Sequence, residues 1–314
     1  MRLLTGAADS LPKDPPPGFE HARSLLSVLL RGVELPNSYL PQVRHEGACR
    51  VCGRRRNLTF EHIPPRAAGN SSPARGASMW DIVTSADPLE FPRQGWVPAQ
   101  RGVGGYVLCQ SCNTVMGHRY VKPYVAFSSQ LLMYIADHFS TAGHLPGHFD
   151  LTLTGWELGD IARQGLGALM GVSISDRLVA GYPELTSIIL DGEGELPADL
   201  RLGLTLVTGS SARLSSPVVQ GTRDGCTLFM EVALMPLAWT LCFTGQDLLP
   251  LASTADVSHW LRYRRAEQAS TGETAALPVG FVHSAVPGDY RPKGHIASGT
   301  DGPLSRSSPE GRGT

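Results

Sequence analysis

The sequence predicts an α+β protein in two domains, a small metal-stapled domain followed by a larger one built on an antiparallel sheet with helical cover. Two Cys-x-x-Cys pairs, Cys49 with Cys52 and Cys109 with Cys112, enclose most of the small domain. After about residue 150, helix-like and strand-like patterns are mixed, with Gly-, Pro- and Asp-rich turns between the strands. The length of 314 residues fits two domains, since one domain takes about 150 residues.

Composition divides the chain further into four parts. Residues 1–40 form a proline-rich N-terminal arm, in which the apolar spacing of residues 19–30 predicts a helix. Residues 41–128 form the metal-stapled domain, and residues 129–285 form the α+β domain, whose role the sequence does not indicate. Residues 286–314 are rich in Gly, Ser, Pro and charge, cannot bury a core, and are predicted to be a disordered tail.

Apolar periodicity predicts the elements of the larger domain. A long helix is expected over residues 118–139, with Pro123 kinking or breaking it. Its core-facing stripe comprises Tyr120, Tyr124, Phe127, Leu131, Leu132 and Ile135. A second helix is expected over residues 157–172, although internal glycines weaken it. Strands are predicted at 186–190, 201–208, 226–234 and 238–243, and a last short helix at 256–265.

The two cysteine pairs supply four soft thiolates, enough to close a tetrahedral structural zinc site. Disulfides are the alternative, but they belong to oxidising compartments and the first residues lack the apolar segment of a secretory signal. No apolar run approaches the roughly 20 residues needed to span a membrane. We therefore predict a cytoplasmic protein with no membrane partner. Cys226 and Cys242 lie in apolar, strand-like sequence and are predicted to be buried free thiols.

A polar set of residues lies between and just after the cysteine pairs. Residues 61–65 read Glu-His-Ile-Pro-Pro, and Asn113 directly follows Cys112. Neighbouring strand residues face opposite sides, so Glu61 and His62 can share one site only where the strand ends, and the prolines supply that ending. Phosphodiester hydrolysis needs a base near neutral pKa and a hard cation held by oxygen ligands. The alternative, a structural His under a zinc ribbon that only binds nucleic acid, stays open.

The order Cys-x-x-Cys, acid-His-Ile-x-Pro, Cys-x-x-Cys-Asn resembles the zinc-stapled branch of the HNH endonucleases, whose active site is a ββα-metal finger. The resemblance covers roughly residues 45–127. It implies that His62 is the general base, that Glu61 binds the catalytic metal and that Asn113 supplies a second ligand. It also implies structural zinc at Cys49, Cys52, Cys109 and Cys112, Mg²⁺ or another divalent ion as the catalytic metal, and DNA as the substrate.

Two features depart from the family pattern. The family usually has an Asn in the second strand that braces the loop behind the catalytic His, and residues 101–108 contain no Asn. About 35 residues, 67–101, separate the two strands of the finger. A hairpin needs far fewer, so this stretch is predicted to be a long surface loop.

Charge is distributed unevenly along the chain. Residues 1–125 carry 15 Lys and Arg against 9 Asp and Glu, a balance of +6, whereas the remainder carries 12 against 19, a balance of −7. The basic half contains the predicted finger, which suits phosphate contacts. The predicted nucleic-acid-binding residues are Arg54, Arg55, Arg56, Arg66, Arg119 and Lys122. A solvated loop rich in Arg is the alternative.

These observations predict an HNH-type, metal-dependent endonuclease that hydrolyses DNA phosphodiester bonds. Two other functions remain open: a catalytically inactive zinc ribbon that binds nucleic acid, and a ββα-metal scaffold that performs another metal-dependent reaction on a small molecule. One finger cuts one strand, so double-strand cleavage would need a homodimer or two encounters. Both routes to double-strand cleavage stay open at this point.

Overall fold

A computed structural model describes residues 40–71, 74–76, 97–99, 102–208, 212–222, 225–243 and 254–281. Within these ranges the protein is a mixed α+β structure, which confirms the predicted fold class. The predicted helix of the N-terminal arm and the predicted tail at 286–314 lie outside the described residues, as does most of the predicted loop at 67–101.

The N-terminal sheet has three antiparallel strands in the order β1 (Glu46–Ala48), β2 (Arg55–His62) and β5 (Gly104–Cys109). Strands β3 (Ala74–Gly76) and β4 (Val97–Ala99) pair separately with each other, within the long connection between β2 and β5. Helix α1 (Gln110–Arg119) begins directly after β5. The chain therefore passes from strand to strand to helix around the two cysteine pairs.

The long helix predicted from residue 118 is two helices. Helix α1 ends at Arg119 and α2 runs over Val121–Ala142, with Tyr120 between them. Pro123 lies in the first turn of α2, where a backbone amide has no partner within the helix, so it starts the helix instead of kinking it. Most of the predicted stripe is buried, but Leu132 is 42% exposed. The prediction was wrong for Leu132, which lies one residue, about 100° around the helix, beyond buried Leu131.

The larger sheet has seven strands. Its main path is β6, β12, β7, β10, β9 and β8, and β11 pairs with β7 beside that path. The strands span His148–Thr152 (β6), Leu200–Thr208 (β7), Arg213–Thr222 (β8), Gly225–Leu234 (β9), Leu237–Phe243 (β10), Ala255–Asp256 (β11) and Thr274–Phe281 (β12). The pairs are antiparallel as predicted, except that β12 runs parallel to β7.

The remaining helices lie between β6 and β7 in the sequence. Helix α3 (Leu158–Val172) agrees with the predicted one, and α4 spans Arg177–Gly181. The strand predicted at 186–190 is wrong, because these residues belong to helix α5 (Glu184–Leu190). A short apolar run contains too few residues for its periodicity to distinguish a strand from a helix. The last short helix is a 3₁₀ turn over Ser258–Arg262, and a second 3₁₀ turn spans Arg66–Ala68.

Helix α3 is buried along all 15 of its residues. Its glycines allow neighbouring elements to approach the backbone closely. A Cβ on Gly165 would lie 2.4 Å from the indole ring of Trp239 in β10, whereas a Cβ on Gly167 would meet Met116 of α1. A Cβ on Gly171 would lie 2.9 Å from the δ-carbon of Ile63. Gly165 therefore faces the larger sheet. Gly167 and Gly171 face the unit formed by β1, β2, β5 and α1, which we call the cysteine-bearing unit.

Hydrogen bonds also join the cysteine-bearing unit to the helices. Arg50, which is 6% exposed, donates to the Gly171 carbonyl at 2.6 Å. The Thr186 hydroxyl donates to the Val51 carbonyl at 2.7 Å, and the Tyr120 hydroxyl donates to the Ile189 carbonyl at 2.6 Å. One continuous cluster of buried apolar side chains contains members from Leu40 to Leu277. The residues on both sides of position 128 therefore share one core.

The glycine contacts predict different tolerances for a methyl group. Gly165→Ala should lower the free energy of unfolding by about 1–3 kcal/mol, because the buried Trp239 ring cannot move aside easily. Gly167→Ala should cost less, since it meets the flexible end of Met116. Denaturant unfolding measures both. Gly117→Ala on α1, with no atom within 4 Å of the new Cβ, is the control and should stabilise by up to about 1 kcal/mol. Equal losses in all three would contradict the packing described for α3.

Candidate metal centre and adjoining polar site

The first cysteine pair lies in the tight turn between β1 and β2. The Cys49 amide donates to the Arg54 carbonyl at 3.0 Å, and the Gly53 amide donates to the Cys49 carbonyl at 2.8 Å. Gly53 has a φ of 68°, a left-handed conformation that glycine adopts without strain. The turn therefore fixes Cys49 and Cys52 on one short segment, with their sulfur atoms near each other.

The second pair lies where β5 meets α1. Cys109 is the last residue of β5 and the N-cap of the helix, and Cys112 lies in the first turn. The Cys109 amide donates to the Cys49 sulfur at 3.3 Å, so the two pairs are joined through the backbone. The amino terminus of a helix favours negative charge, which stabilises thiolates at this position.

The four sulfur atoms form one cluster. They all lie within 4.8 Å of one another, and the Cys52 and Cys109 sulfurs are 3.9 Å apart. A regular tetrahedron with metal–sulfur bonds of about 2.3 Å has edges of about 3.8 Å. All four cysteines are free, and Cys49, Cys109 and Cys112 are buried. The predicted clustering is confirmed: these residues lie close enough to bind one metal ion.

The acidities of the thiols show why a cation suits this cluster. The hydrogen bond with Cys112 lowers the pKa of Cys49 to about 5, whereas burial raises the pKa of Cys52. The same hydrogen bond, together with burial, raises the pKa of Cys112. One thiolate is therefore stable at neutral pH, and its negative charge opposes ionisation of the others. A bound cation would remove that opposition.

Glu61 and His62 are the last two residues of β2, as expected from the prolines that follow them. Glu61 lies opposite Gly105 and His62 opposite Gly104 in β5. A Cβ on Gly104 would lie 2.1 Å from the Glu61 carbonyl oxygen, so this position accepts only glycine at the observed spacing. The His62 ring packs edge-on against Phe60, with ring centres 5.0 Å apart. A register shift between residues 59 and 60 changes the strand alternation just before the site.

Asn113 links helix α1 to the end of β2. Its side-chain amide nitrogen donates to the Thr59 hydroxyl at 2.9 Å and to the Phe60 carbonyl at 3.1 Å. A carbonyl can only accept a hydrogen bond, so this contact requires the amide NH₂ group to face the strand. Among the described residues, the Asn113 side-chain oxygen accepts no hydrogen bond.

The Glu61 carboxylate has no hydrogen-bond or ion-pair partner among the described residues, although its side chain is partly buried. Burial raises its pKa from 4.5 to about 8, because removal from water disfavours the ionised form. A hard divalent cation prefers carboxylate and amide oxygens, and it would supply the missing positive charge. Glu61 and Asn113 thus fit a cation on the grounds of their chemistry.

Asn70 is a residue of the site that the sequence analysis missed. It is 4% exposed, and its amide nitrogen donates at 2.7 Å to the carbonyls of both Pro64 and Val103. Its side-chain oxygen accepts from the Val103 amide at 2.7 Å. These three bonds, which we call the Asn70 clamp, join the chain just after His62 to the chain just before β5. The only sequence signal is a Gly-Asn pair, which by itself indicates a turn.

Gly102 completes this clamp. It has a φ of 90°, and a Cβ on it would lie 2.2 Å from the Asn70 carbonyl oxygen. The brace that the family pattern places in the second strand is absent there, as the sequence showed. Asn70, from the other end of the connection, holds the backbone at Val103, just before β5.

The predicted phosphate-contacting residues have different surroundings. Arg55 and Arg56 are exposed on β2, Arg54 is exposed just before it, and Arg66 and Lys122 are exposed elsewhere on the same unit. Arg55 lies 3.7 Å from the carboxylate of Glu46, also exposed. Arg119 donates to the Leu190 carbonyl and so helps hold α1 against α5. Their contacts with nucleic acid stay a prediction.

Comparisons with protein-family models, with curated proteins and with solved structures give no match. Among the described residues, no helix is both long enough and apolar enough to cross a membrane.

The cysteine cluster predicts a metal that supports the fold. Cys52→Ser should lose the ion and unfold the cysteine-bearing unit, because binding energy at a structural site is folding energy. Elemental analysis of the wild-type protein should find about one tightly held ion per chain, with zinc as the metal expected from the sequence. Cys242→Ala, a buried thiol outside the cluster, should keep the ion. A metal-free protein that is fully folded would contradict this expectation.

The raised pKa of Glu61 predicts a pH-dependent effect in protein stripped of divalent cations other than the structural ion. The folded-state pKa, about 8, lies above the ordinary value of 4.5, so this group destabilises the fold progressively as the pH rises through that interval. Glu61→Gln should therefore melt at a higher temperature than wild type above pH 8, and the difference should vanish toward pH 4.5.

Added Mg²⁺ or Mn²⁺ should reverse the order by stabilising only the wild type. Glu46→Gln, which removes an exposed carboxylate from β1, controls for the change in net charge. A Glu61→Gln variant that melts below wild type at high pH without divalent cation would show that the carboxylate has a stabilising partner.

Proposed function

We propose that this protein is a metal-dependent endonuclease of the HNH type, which hydrolyses DNA phosphodiester bonds with His62 as general base. The observation that carries the proposal is the pair of hydrogen bonds from Asn113 to the end of β2. They hold the side chain of Asn113, on the helix, against Thr59 and Phe60, the two residues that precede Glu61 and His62 on β2. The strand–strand–helix order around these residues agrees with a ββα-metal finger.

Each residue of the site has a chemical role in this proposal. His62 accepts a proton from the attacking water, since imidazole has a pKa near neutrality. Glu61 and the side-chain oxygen of Asn113 hold a divalent cation, for which Mg²⁺ is the first candidate. That cation, when bound, neutralises charge on the phosphate and stabilises the leaving oxygen.

The cysteine cluster is proposed to hold structural zinc. Four protein thiolates leave no open position on a tetrahedral ion, so this site cannot bind a substrate. Its contribution is positional, because it joins the turn before β2 to the first turn of α1. Those are the two elements that carry Glu61, His62 and Asn113.

Substrate binding is proposed to use the exposed cationic residues of the finger. Residues 1–125 carry a formal charge of +6, and the exposed arginines on β2 contribute to it. Neighbouring residues of a strand face opposite sides, so on β2 Arg56 faces away from Arg55, which lies near Glu46. Arg56 is therefore better placed than Arg55 to contact phosphate.

Cleavage of supercoiled plasmid, with and without Mg²⁺ or Mn²⁺, tests this function. Wild-type protein should convert the plasmid to nicked or linear forms only when the divalent ion is present. His62→Ala should lower the rate by a factor of about 10² to 10⁴, with DNA binding and the melting temperature nearly unchanged. His118→Ala, an exposed histidine on α1, is the matched control and should keep full activity.

The same measurements separate the alternatives. Full activity in His62→Ala would show that the assigned base is wrong. DNA binding without cleavage, at every metal tested, would favour a nucleic-acid-binding module. A wild-type protein without appreciable affinity for DNA or RNA at physiological salt would instead favour a reaction on a small molecule.

A further inference from the structure

Helix α2 carries two apolar seams, and its own core covers only one of them. The covered seam consists of Tyr124, Phe127, Ser128, Leu131 and Ile135, which are all buried. A second seam lies one residue further round the helix and consists of Val125, Ser129, Leu132, Ala136 and Phe139. We call this second set the outer seam. Leu132 is 42% exposed and Phe139 is 55% exposed.

The outer seam has the spacing of a helix–helix interface. Its residues are separated by four, three, four and three positions, which is the a/d pattern of a heptad repeat. Such a pattern keeps one line of side chains facing a partner helix over the whole contact. Large residues occupy the d positions (Val125, Leu132, Phe139) and small residues the a positions (Ser129, Ala136).

This alternation makes the seam complementary to itself in the antiparallel direction. Placing Leu132 opposite Ala136 of a second copy also places Phe139 opposite Ser129 and Val125 opposite Gly143. Each large side chain then faces a small residue, and by two-fold symmetry every such contact occurs twice. A parallel pairing would instead place large residues opposite large ones, and small opposite small.

The lack of charge along the outer seam argues against a charged peptide or an anionic membrane surface as its partner. Apart from His138, helix α2 carries only Lys122 and Asp137, and neither belongs to the outer seam. A charged peptide would find no counter-charge along the seam, and an anionic membrane surface would find a single lysine. A second copy brings an equally neutral seam, so association meets little electrostatic opposition.

The uncovered apolar surface extends beyond the helix. Ala136 and Phe139 also line an apolar cavity of about 510 Å³, whose other lining residues include Leu145 and Met235. Met133, beside the seam, is 59% exposed. These exposed side chains add to the apolar surface that a partner could cover.

We propose that the protein forms a two-fold homodimer through antiparallel packing of the outer seams of α2. The proposal stands independently of the endonuclease function, because it rests on helix spacing and exposure alone. The dimer unit would have twice the 33.6 kDa mass of the chain.

Sedimentation or light scattering of the full chain, over a micromolar concentration series, tests the proposal. Wild-type protein should approach the dimer mass as concentration rises. Leu132→Glu should remain a monomer at all concentrations, because its exposed site tolerates the charge in the monomer but not in an apolar seam. Gln130→Glu, at another exposed position of α2 that lies well away from the seam, adds the same charge and should dimerise normally.

A mixing experiment checks the antiparallel register. Ala136→Lys protein mixed with Leu132→Glu protein should form a heterodimer, because this register brings the two new charges together across the interface. Circular dichroism confirms that each variant is folded. A wild-type protein that stays monomeric, or a Leu132→Glu variant that dimerises like wild type, overturns the proposal. A mixture that stays monomeric overturns the antiparallel register.

Discussion

Close packing against helix α3 is the constraint on which the rest of the structure depends. Every residue of this helix is buried, and its glycines let three different elements come within contact distance of its backbone. The ring of Trp239 approaches from the larger sheet, Met116 from α1, and Ile63 from the end of β2. Ile63 directly follows His62, so the position of the candidate base depends on the same helix that supports the sheet. Residues of both predicted domains thus pack against α3.

The sequence predicted the features that depend on local chemistry. Cysteine spacing predicted the metal-binding cluster, and apolar periodicity predicted α3 and the strands β7, β9 and β10. Periodicity failed at residues 186–190, where a helix too short to show a repeat was mistaken for a strand. It also placed Leu132 in the core, because a stripe defined from sequence alone has no sharp edge. The parallel pairing of β12 with β7 depends on contacts distant in sequence, which no local pattern contains.

In the candidate site, too, the sequence predicted features that depend on a local motif and missed those that depend on distant contacts. Glu61, His62 and Asn113 were predicted from a linear motif, and the structure brings Asn113 to the end of the strand that carries the other two. The Asn70 clamp could not be predicted, since its partners lie six and 33 residues away and two of its three bonds are to Val103. The raised pKa of Glu61 also cannot be seen in the sequence, because it depends on burial of the carboxyl group. Such features appear only once the packing is known.

The Asn70 clamp also has a consequence for how this protein can vary. It closes the base of the segment between Asn70 and Val103, so both ends of that segment are held side by side regardless of what lies between them. The entropy of closing a loop grows only slowly with its length. Insertions or deletions within the segment should therefore leave the geometry of His62 almost unchanged. The segment is therefore where we expect the chain to tolerate lengthening, exchange or the grafting of a foreign domain, while the residues beside the clamp stay in place.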